Sequence, residues 1–94
     1  MPEIHHATAY FTGRVQGVGF RRFAAWEAQR LDLAGWVRNE PDDTLCGEAE
    51  GPEAALLTFR ARLTLGPTFA AVTRLDWGDA DMRSSLPHPF EIRR

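Results

Sequence analysis

The pattern of apolar and polar positions in the first half of the chain predicts a strand, a helix and two further strands, in that order. Residues 5–13 alternate between apolar and polar side chains, which is the period of a half-buried strand. Residues 20–31 contain neither glycine nor proline, and their apolar side chains recur at helical spacing. Residues 35–39 and 44–50 are predicted to be two further strands, joined by a polar turn at residues 40–43.

The second half of the chain is predicted to contain a second helix and two further strands. A helix is predicted to begin at Gly51-Pro52, where proline fits the first helical position, and to end at Gly66-Pro67. Residues 72–77 are predicted to form a fourth strand and residues 90–92 a short fifth one. The order β-α-β-β-α-β with a short fifth strand predicts an α+β, ferredoxin-like sandwich. In this sandwich an antiparallel sheet carries both helices on one face.

The composition is that of one small domain. The 94 residues, 44% of them apolar, suffice for one core, so we expect a single domain over residues 1–94. A net charge of −2 indicates neither a nucleic acid nor a membrane as partner. No apolar run approaches the ~18–20 residues of a membrane span, and the N-terminus lacks the pattern of a signal peptide. With one cysteine, these features predict a cytoplasmic protein.

The stretch GRVQGVGFRRF, from Gly13 to Phe23, places three glycines directly before the predicted first helix. N–H groups at a helix N-terminus have no intrahelical partner, and glycines let such groups converge on one point. Arg21 falls in the first helical turn, where a cation is unfavourable to the helix dipole unless it serves a bound anion. All 11 basic residues are arginine, however, so an arginine by itself is weak evidence. The stretch is therefore either an anion cradle or a flexible connector, and these residues alone do not decide between the two.

Two nucleotide-binding motifs are excluded by this stretch. A Walker-type loop ends in Gly-Lys-Ser/Thr, and the chain contains no lysine. A dinucleotide fingerprint needs a glycine three residues after Gly19, where Arg22 stands instead.

Asn39 is a second candidate site residue, because it ends the predicted second strand. Its amide both donates and accepts hydrogen bonds, which suits a group that orients a water molecule. Asparagine is also common at the start of a turn, so its position alone leaves both interpretations open.

Three segments of the chain together resemble the acylphosphatase family. They are Gly13 to Arg21, Gly35-Trp36-Val37-Arg38-Asn39 and Glu48-Ala49-Glu50-Gly51-Pro52. The resemblance continues to Phe90-Glu91-Ile92 and so covers nearly the whole chain. It implies a ferredoxin-like fold and the hydrolysis of small acyl phosphates to a carboxylate and inorganic phosphate, without metal or cofactor.

The resemblance also implies a role for each candidate residue. By motif position, Arg21 binds the phosphate and Asn39 positions the attacking water. The implied phosphate cradle is the backbone of Gln16, Gly17, Val18, Gly19 and Phe20. An acyl phosphate suits a site without a general acid, because its leaving carboxylate has a conjugate acid of pKa about 4 and departs unprotonated at neutral pH.

The chain departs from the family pattern in the turn after Asn39. The family usually has Asp-Gly there, and this chain has Asp42-Asp43. Asp adopts a left-handed backbone less readily than Gly, so we expect an altered hairpin with the site retained. The added charge of Asp43 would weaken anion attraction if it faces the cradle.

Four other residues are not assigned a function. Because His5 and His6 point to opposite faces of a strand and His88 lies far along the chain, we expect no metal site. Cys46 shares a strand face with two glutamates, so we expect it to be partly exposed and inert.

The sequence shows no apolar stripe beyond those that the core of one domain requires, and we therefore expect a monomer.

Two other functions remain possible on the sequence. One is a phosphate- or RNA-binding module of the same fold without turnover, although RNA recognition on this fold needs aromatic residues on the central strands. The other is an accessory domain that handles carbamoyl phosphate, as in hydrogenase-maturation proteins. Metal-free turnover of an acyl phosphate separates the enzyme from the binding module.

Overall fold

The computed structural model describes residues 4–14, 16–17, 19–42, 44–67, 70–79 and 86–93. In chain order the elements are β1 (Ile4–Arg14), α1 (Phe20–Arg30), β2 (Ala34–Asn39), β3 (Leu45–Pro52), α2 (Glu53–Leu65), β4 (Ala71–Asp79) and β5 (Glu91–Arg93). Each boundary lies close to the predicted one, because glycine and proline punctuate the chain between the periodic segments.

The strands form one sheet in the order β4-β1-β3-β2-β5. β1 lies between β3 and β4 and is antiparallel to both, and β2 is antiparallel to β3. The α+β, ferredoxin-like fold is therefore confirmed. The sheet is mixed, however, and not wholly antiparallel as predicted, because the short β5 runs parallel to β2, with Val37 opposite Ile92. Asn39 pairs with Leu45 at the end of β2, next to the turn that leads into β3.

The core lies between the sheet and the two helices. Leu33, Leu45 and Ala28 are fully buried, and Phe59 packs edge-to-face on Phe90 with ring centroids 5.7 Å apart. The helical positions predicted to be apolar stripes face this core, whereas Trp26, which falls off the stripe of α1, is 59% exposed. The core thus fixes both helices against the sheet and determines where α1 begins.

Two glycines are required by the backbone. Gly66 ends α2 with a φ of 68°, in the left-handed region that favours glycine, and its N–H donates to the Arg62 carbonyl at 3.0 Å. Gly35 in β2 has a φ of 147°, and a β-carbon there would collide with the Glu48 carbonyl oxygen. Both positions were predicted only as element boundaries.

A buried carboxylate joins the two helices. Glu27 on α1 is 0% exposed, and its carboxylate accepts hydrogen bonds from Arg30 at 3.0 Å and from Arg62 of α2 at 3.1 Å. Burial by itself raises the pKa of Glu27, but the hydrogen bonds and charges of the two arginines outweigh it and hold the pKa below its usual value of 4.5. The carboxylate is therefore ionised at neutral pH.

We expect Glu27→Gln to lower the free energy of unfolding by about 2 kcal/mol, because a buried partner of two arginines loses its charge. For a domain of this size the melting temperature should fall by about 8–16 °C. Because the folded-state pKa is lowered, this contribution is present above about pH 4.5 and fades as the pH falls below it.

The matched control for Glu27 is Asp76→Asn, which removes the carboxylate of the exposed pair with Arg74. Its melting temperature should change by about 2 °C or less, since exposed pairs contribute little. Equal melting temperatures for wild type and Glu27→Gln at pH 7 would contradict the assignment.

Candidate active site

The loop before α1 contains two glycines with a left-handed backbone. Gly17 and Gly19 have φ values of 73° and 77°, in the left-handed region that glycine adopts without strain. Gly19 is the N-cap of α1, and among the described residues no side chain caps this helix start. The first turn contains no acidic residue but carries Arg21 and Arg22. The positive partial charge of this helix start and the charges of its two arginines are therefore not neutralised by a carboxylate in the same turn.

Each predicted residue of this loop has a definite place except Val18, which lies outside the described residues. Gln16 is half-buried, and Gly17 and Gly19 are exposed. The Phe20 ring is buried in the core and packs edge-to-face on Phe23, with centroids 6.2 Å apart. Arg21 is half-buried, whereas Arg22 is exposed. The core thus anchors the helix start through Phe20 and leaves the glycines accessible.

Asn39 lies at the end of β2, as predicted, and its side chain has one unusual feature. The Oδ1 atom is buried, and it has no hydrogen-bond partner among the residues that the structure describes. A buried acceptor without a partner costs about 1–3 kcal/mol, so such atoms are rare in folded proteins. This oxygen is therefore an acceptor that a water molecule or a bound ligand could use.

The Gln16 side chain connects the loop to the hairpin that carries Asn39. Its Nε2 donates to the carbonyl of Glu40 and to that of Thr44, both at 3.0 Å. The hairpin is closed at the same place by a hydrogen bond of 2.8 Å from the Glu40 N–H to the Thr44 carbonyl. The sequence indicated a role for the backbone of Gln16, and it carried no signal for these side-chain contacts.

The carboxylate of Glu40 is held through one of its oxygens, Oε1. It accepts hydrogen bonds of 2.7 Å from the Cys46 thiol and 2.7 Å from Arg38 Nε. The thiol, followed by Arg38, holds the pKa of Glu40 below its usual value. The carboxylate that follows Asn39 is thus ionised and is not available as a general acid.

The expectation that Cys46 is partly exposed is wrong. Its side chain is buried, because Arg38 lies opposite it in the adjacent strand and Glu40 contacts its sulfur. Burial, followed by the hydrogen bond to Glu40, raises the pKa of the Cys46 thiol to about 11. The thiol is therefore protonated at neutral pH and is a weak nucleophile.

The turn between β2 and β3 is stabilised by Asp42. Its Oδ1 accepts hydrogen bonds from the Thr44 backbone N–H at 3.2 Å and from the Thr44 hydroxyl at 2.5 Å. These bonds hold the pKa of Asp42 below its usual value. Asp43 lies outside the described residues, and so does the predicted effect of its charge. Within the described ranges no group of three metal-ligating side chains is present.

Fold and loop together define the class as a ferredoxin-like α+β sandwich whose glycine-rich loop is tied to the β2–β3 hairpin next to Asn39. A family model described as acylphosphatase matches residues 7–92. An acylphosphatase of Salinibacter ruber is 51% identical over 89 residues, which cover 93% of this chain and 90% of that protein. The chain therefore belongs to the acylphosphatase family and is a hydrolase of that family.

Solved structures agree with this assignment. The acylphosphatase from Bacillus subtilis superposes with a TM-score of 0.91 at 36% identity, covering 98% of this chain and all of that one. Full-length HypF, solved in a phosphate- and nucleotide-bound form, matches with a TM-score of 0.89 at 27% identity. This match covers 100% of the present chain but 12% of HypF.

Proposed function

We propose that the chain hydrolyses the carboxyl–phosphate bond of small acyl phosphates, using Arg21 and the backbone cradle to bind the phosphate. The cradle consists of the N–H groups of Gln16, Gly17, Val18, Gly19 and Phe20. Asn39 holds the attacking water, whose oxygen bonds to phosphorus as the P–O bond to the carboxylate breaks and whose proton passes to the phosphate; no metal or cofactor takes part. The observation that carries the proposal is the buried Asn39 Oδ1, an acceptor without a protein partner in the described part of the chain, on the hairpin that Gln16 ties to the loop.

The physical chemistry of phosphoryl transfer supports these roles. The transition state is loose, so catalysis consists of positioning and of stabilising the equatorial phosphate oxygens. The planar fork of Arg21 matches two of these oxygens, and helix N–H groups match the third. Oδ1 of the Asn39 amide accepts a hydrogen bond from the water. This bond orients the water so that a lone pair on the water oxygen points at phosphorus.

The ionised carboxyl groups of the hairpin support the substrate class. Glu40 and Asp42 both have lowered pKa values, so neither delivers a proton to a leaving group at neutral pH. Hydrolysis of an alkyl phosphate needs such a proton, because an alkoxide is a poor leaving group. An acyl phosphate releases a carboxylate, which needs none.

The test is the hydrolysis of benzoyl phosphate by the purified chain in the presence of EDTA. We expect turnover that EDTA does not reduce and that does not extend to glycerol 3-phosphate, an alkyl phosphate with the same phosphate group. A folded protein that leaves benzoyl phosphate intact would show that the proposal is wrong. Loss of turnover in EDTA, restored by a divalent cation, would contradict the metal-free mechanism.

An RNA-binding function is disfavoured by the sheet face opposite the helices. On β3 this face carries Cys46, Glu48 and Glu50, and on β4 it carries Asp76. Trp36 and Arg38 of β2 share this face, but the Trp36 ring is already contacted by the guanidinium groups of Arg38 and Arg93. The central strand β3 offers no aromatic ring on which a base could stack, and its two glutamates repel a phosphate backbone.

We further propose that the enzyme acts as a monomer in the cytoplasm. The location is supported by Cys46, a free thiol that is buried in the fold. Among the described residues, no helix is long and apolar enough to cross a membrane. Size-exclusion chromatography with light scattering measures the oligomeric state directly.

A further inference from the structure

We propose that Gln16 is a positioning residue that acts through Asn39. Its side chain holds the water-binding amide of Asn39 in a fixed position relative to the phosphate cradle. The inference rests on the proposed function, because it assumes that Asn39 orients the attacking water. It assigns to the Gln16 side chain a task separate from that of the Gln16 backbone. The task is to join the loop to the hairpin, whose residues Glu40 and Thr44 follow Gln16 by 24 and 28 residues in the sequence.

The contacts of the Gln16 amide are unusual in both number and target. Its Nε2 reaches the carbonyl oxygens of Glu40 and Thr44, each at 3.0 Å, so both of its hydrogens are used. These two residues flank the turn, and they are already paired by the hydrogen bond from the Glu40 N–H to the Thr44 carbonyl. One side chain from the loop thus spans the closed end of the hairpin.

Asn39 directly precedes the residue that Gln16 contacts. The Glu40 carbonyl is held by Gln16 on one side, and the Glu40 carboxylate is held by Arg38 and Cys46 on the other. With both ends of Glu40 fixed, the backbone on the C-terminal side of Asn39 has little freedom to shift relative to the loop. On the N-terminal side, Asn39 is fixed by its pairing with Leu45.

The effect of losing this link follows from the demands of positioning. A displacement of about 1 Å between reacting groups costs roughly 100-fold in rate. The phosphate cradle and Arg21 belong to the loop and to α1, and α1 is anchored in the core through Phe20. Loss of the Gln16 amide should therefore displace the water while leaving phosphate binding largely intact.

The first experiment compares Gln16→Met with Gln29→Met. Methionine keeps the length of the side chain and removes its amide. Gln29 is the matched control, because its Nε2 also donates to the backbone of a distant segment, the Phe90 carbonyl at 2.8 Å, away from the loop. For Gln16→Met we expect kcat on benzoyl phosphate to fall about 10- to 100-fold. The inhibition constant of inorganic phosphate should change by less than about 3-fold, and Gln29→Met should keep the wild-type kcat.

Folding is checked by circular dichroism and melting temperature, with kinetics measured well below the transition. Gln16→Asn provides a second variant, whose amide is one methylene too short to reach both carbonyls. It should also lower kcat with little effect on phosphate inhibition, even if the methionine variant does not fold. Wild-type kcat in either folded variant would overturn the proposal.

The second experiment asks whether Gln16 acts through Asn39. In a double-mutant cycle, adding Gln16→Met to Asn39→Ala should lower kcat by less than about 3-fold, because the positioned group is already absent. If the two losses multiply instead, Gln16 does not act through Asn39, and the proposal fails.

A third measurement keeps this inference separate from the proposed function. The side-chain N–H₂ resonances of Asn39 are followed by NMR in wild type and in Gln16→Met. We expect them to shift or broaden in the variant, whereas those of Gln29→Met should match the wild type. Unchanged Asn39 resonances in Gln16→Met would overturn the positioning role, whether or not the wild-type chain hydrolyses benzoyl phosphate.

Discussion

Arg21→Ala is expected to lower kcat/KM on benzoyl phosphate by roughly 200- to 5,000-fold, equivalent to about 3–5 kcal/mol of transition-state stabilisation. Charge on the equatorial oxygens has to be met in the transition state, and Arg21 is the half-buried cation in the first turn of α1. Removing it leaves the helix N–H groups to stabilise this charge alone. The inhibition constant of inorganic phosphate should rise as well.

The adjacent arginine provides the control for this prediction. Arg22→Ala removes the same charge from an exposed position one residue further along the helix. We expect it to retain turnover within about 3-fold, since exposed charges act weakly and are screened by salt. Arg21→Lys should recover part of the activity, because it restores the charge without the planar fork. If Arg21→Ala and Arg22→Ala lose equal activity, the loss reflects the local field, and Arg21 has no direct role.

Asn39→Ala is expected to lower kcat by about 100- to 1,000-fold while the inhibition constant of inorganic phosphate changes by less than about 3-fold. The rate range is that seen when one positioned hydrogen-bonding group is removed from an active site. Phosphate binding should persist, because the cradle and Arg21 belong to a different segment of the chain. Pre-steady-state and inhibition kinetics on the same preparation separate the two effects.

Stability gives Asn39→Ala a second, independent readout. The substitution removes an oxygen that has no hydrogen-bond partner among the described residues, so the melting temperature should change little. Loss of activity together with preserved stability is the signature of a functional residue. A variant that loses both would indicate a structural role for Asn39.

Much of the fold could be predicted because local signals agree along the chain. The apolar side chains of α1 and α2 follow helical spacing, and Gly19 and Gly66 stand where the two helices begin and end. The pairing direction of β5 could not be predicted in this way. The three residues of β5 are too few to show a pattern that distinguishes a parallel from an antiparallel edge strand. The direction of β5 depends instead on the path of the segment that precedes it.

The candidate site was predictable where its residues lie close together in sequence. Arg21 follows the glycines of the cradle directly, so its position at the helix start follows from the loop motif. The contacts of Gln16 involve carbonyls 24 and 28 residues away, and no local pattern specifies such partners. The burial of Cys46 was missed for a related reason, because Arg38 and Glu40 cover it from the neighbouring strand.

The placement of β1 between β3 and β4 has a consequence for how the molecule folds. Both neighbours of β1 come much later in the chain, so large loops have to close before the first strand is paired on either side. Such non-local topology slows folding relative to helical proteins of the same size. The glycine-rich loop follows β1 in the chain, and its link to the hairpin depends on β3 being in place. Catalytic competence should therefore arise with the last cooperative step of folding, so that recovered turnover reports the native sheet and no partly folded form.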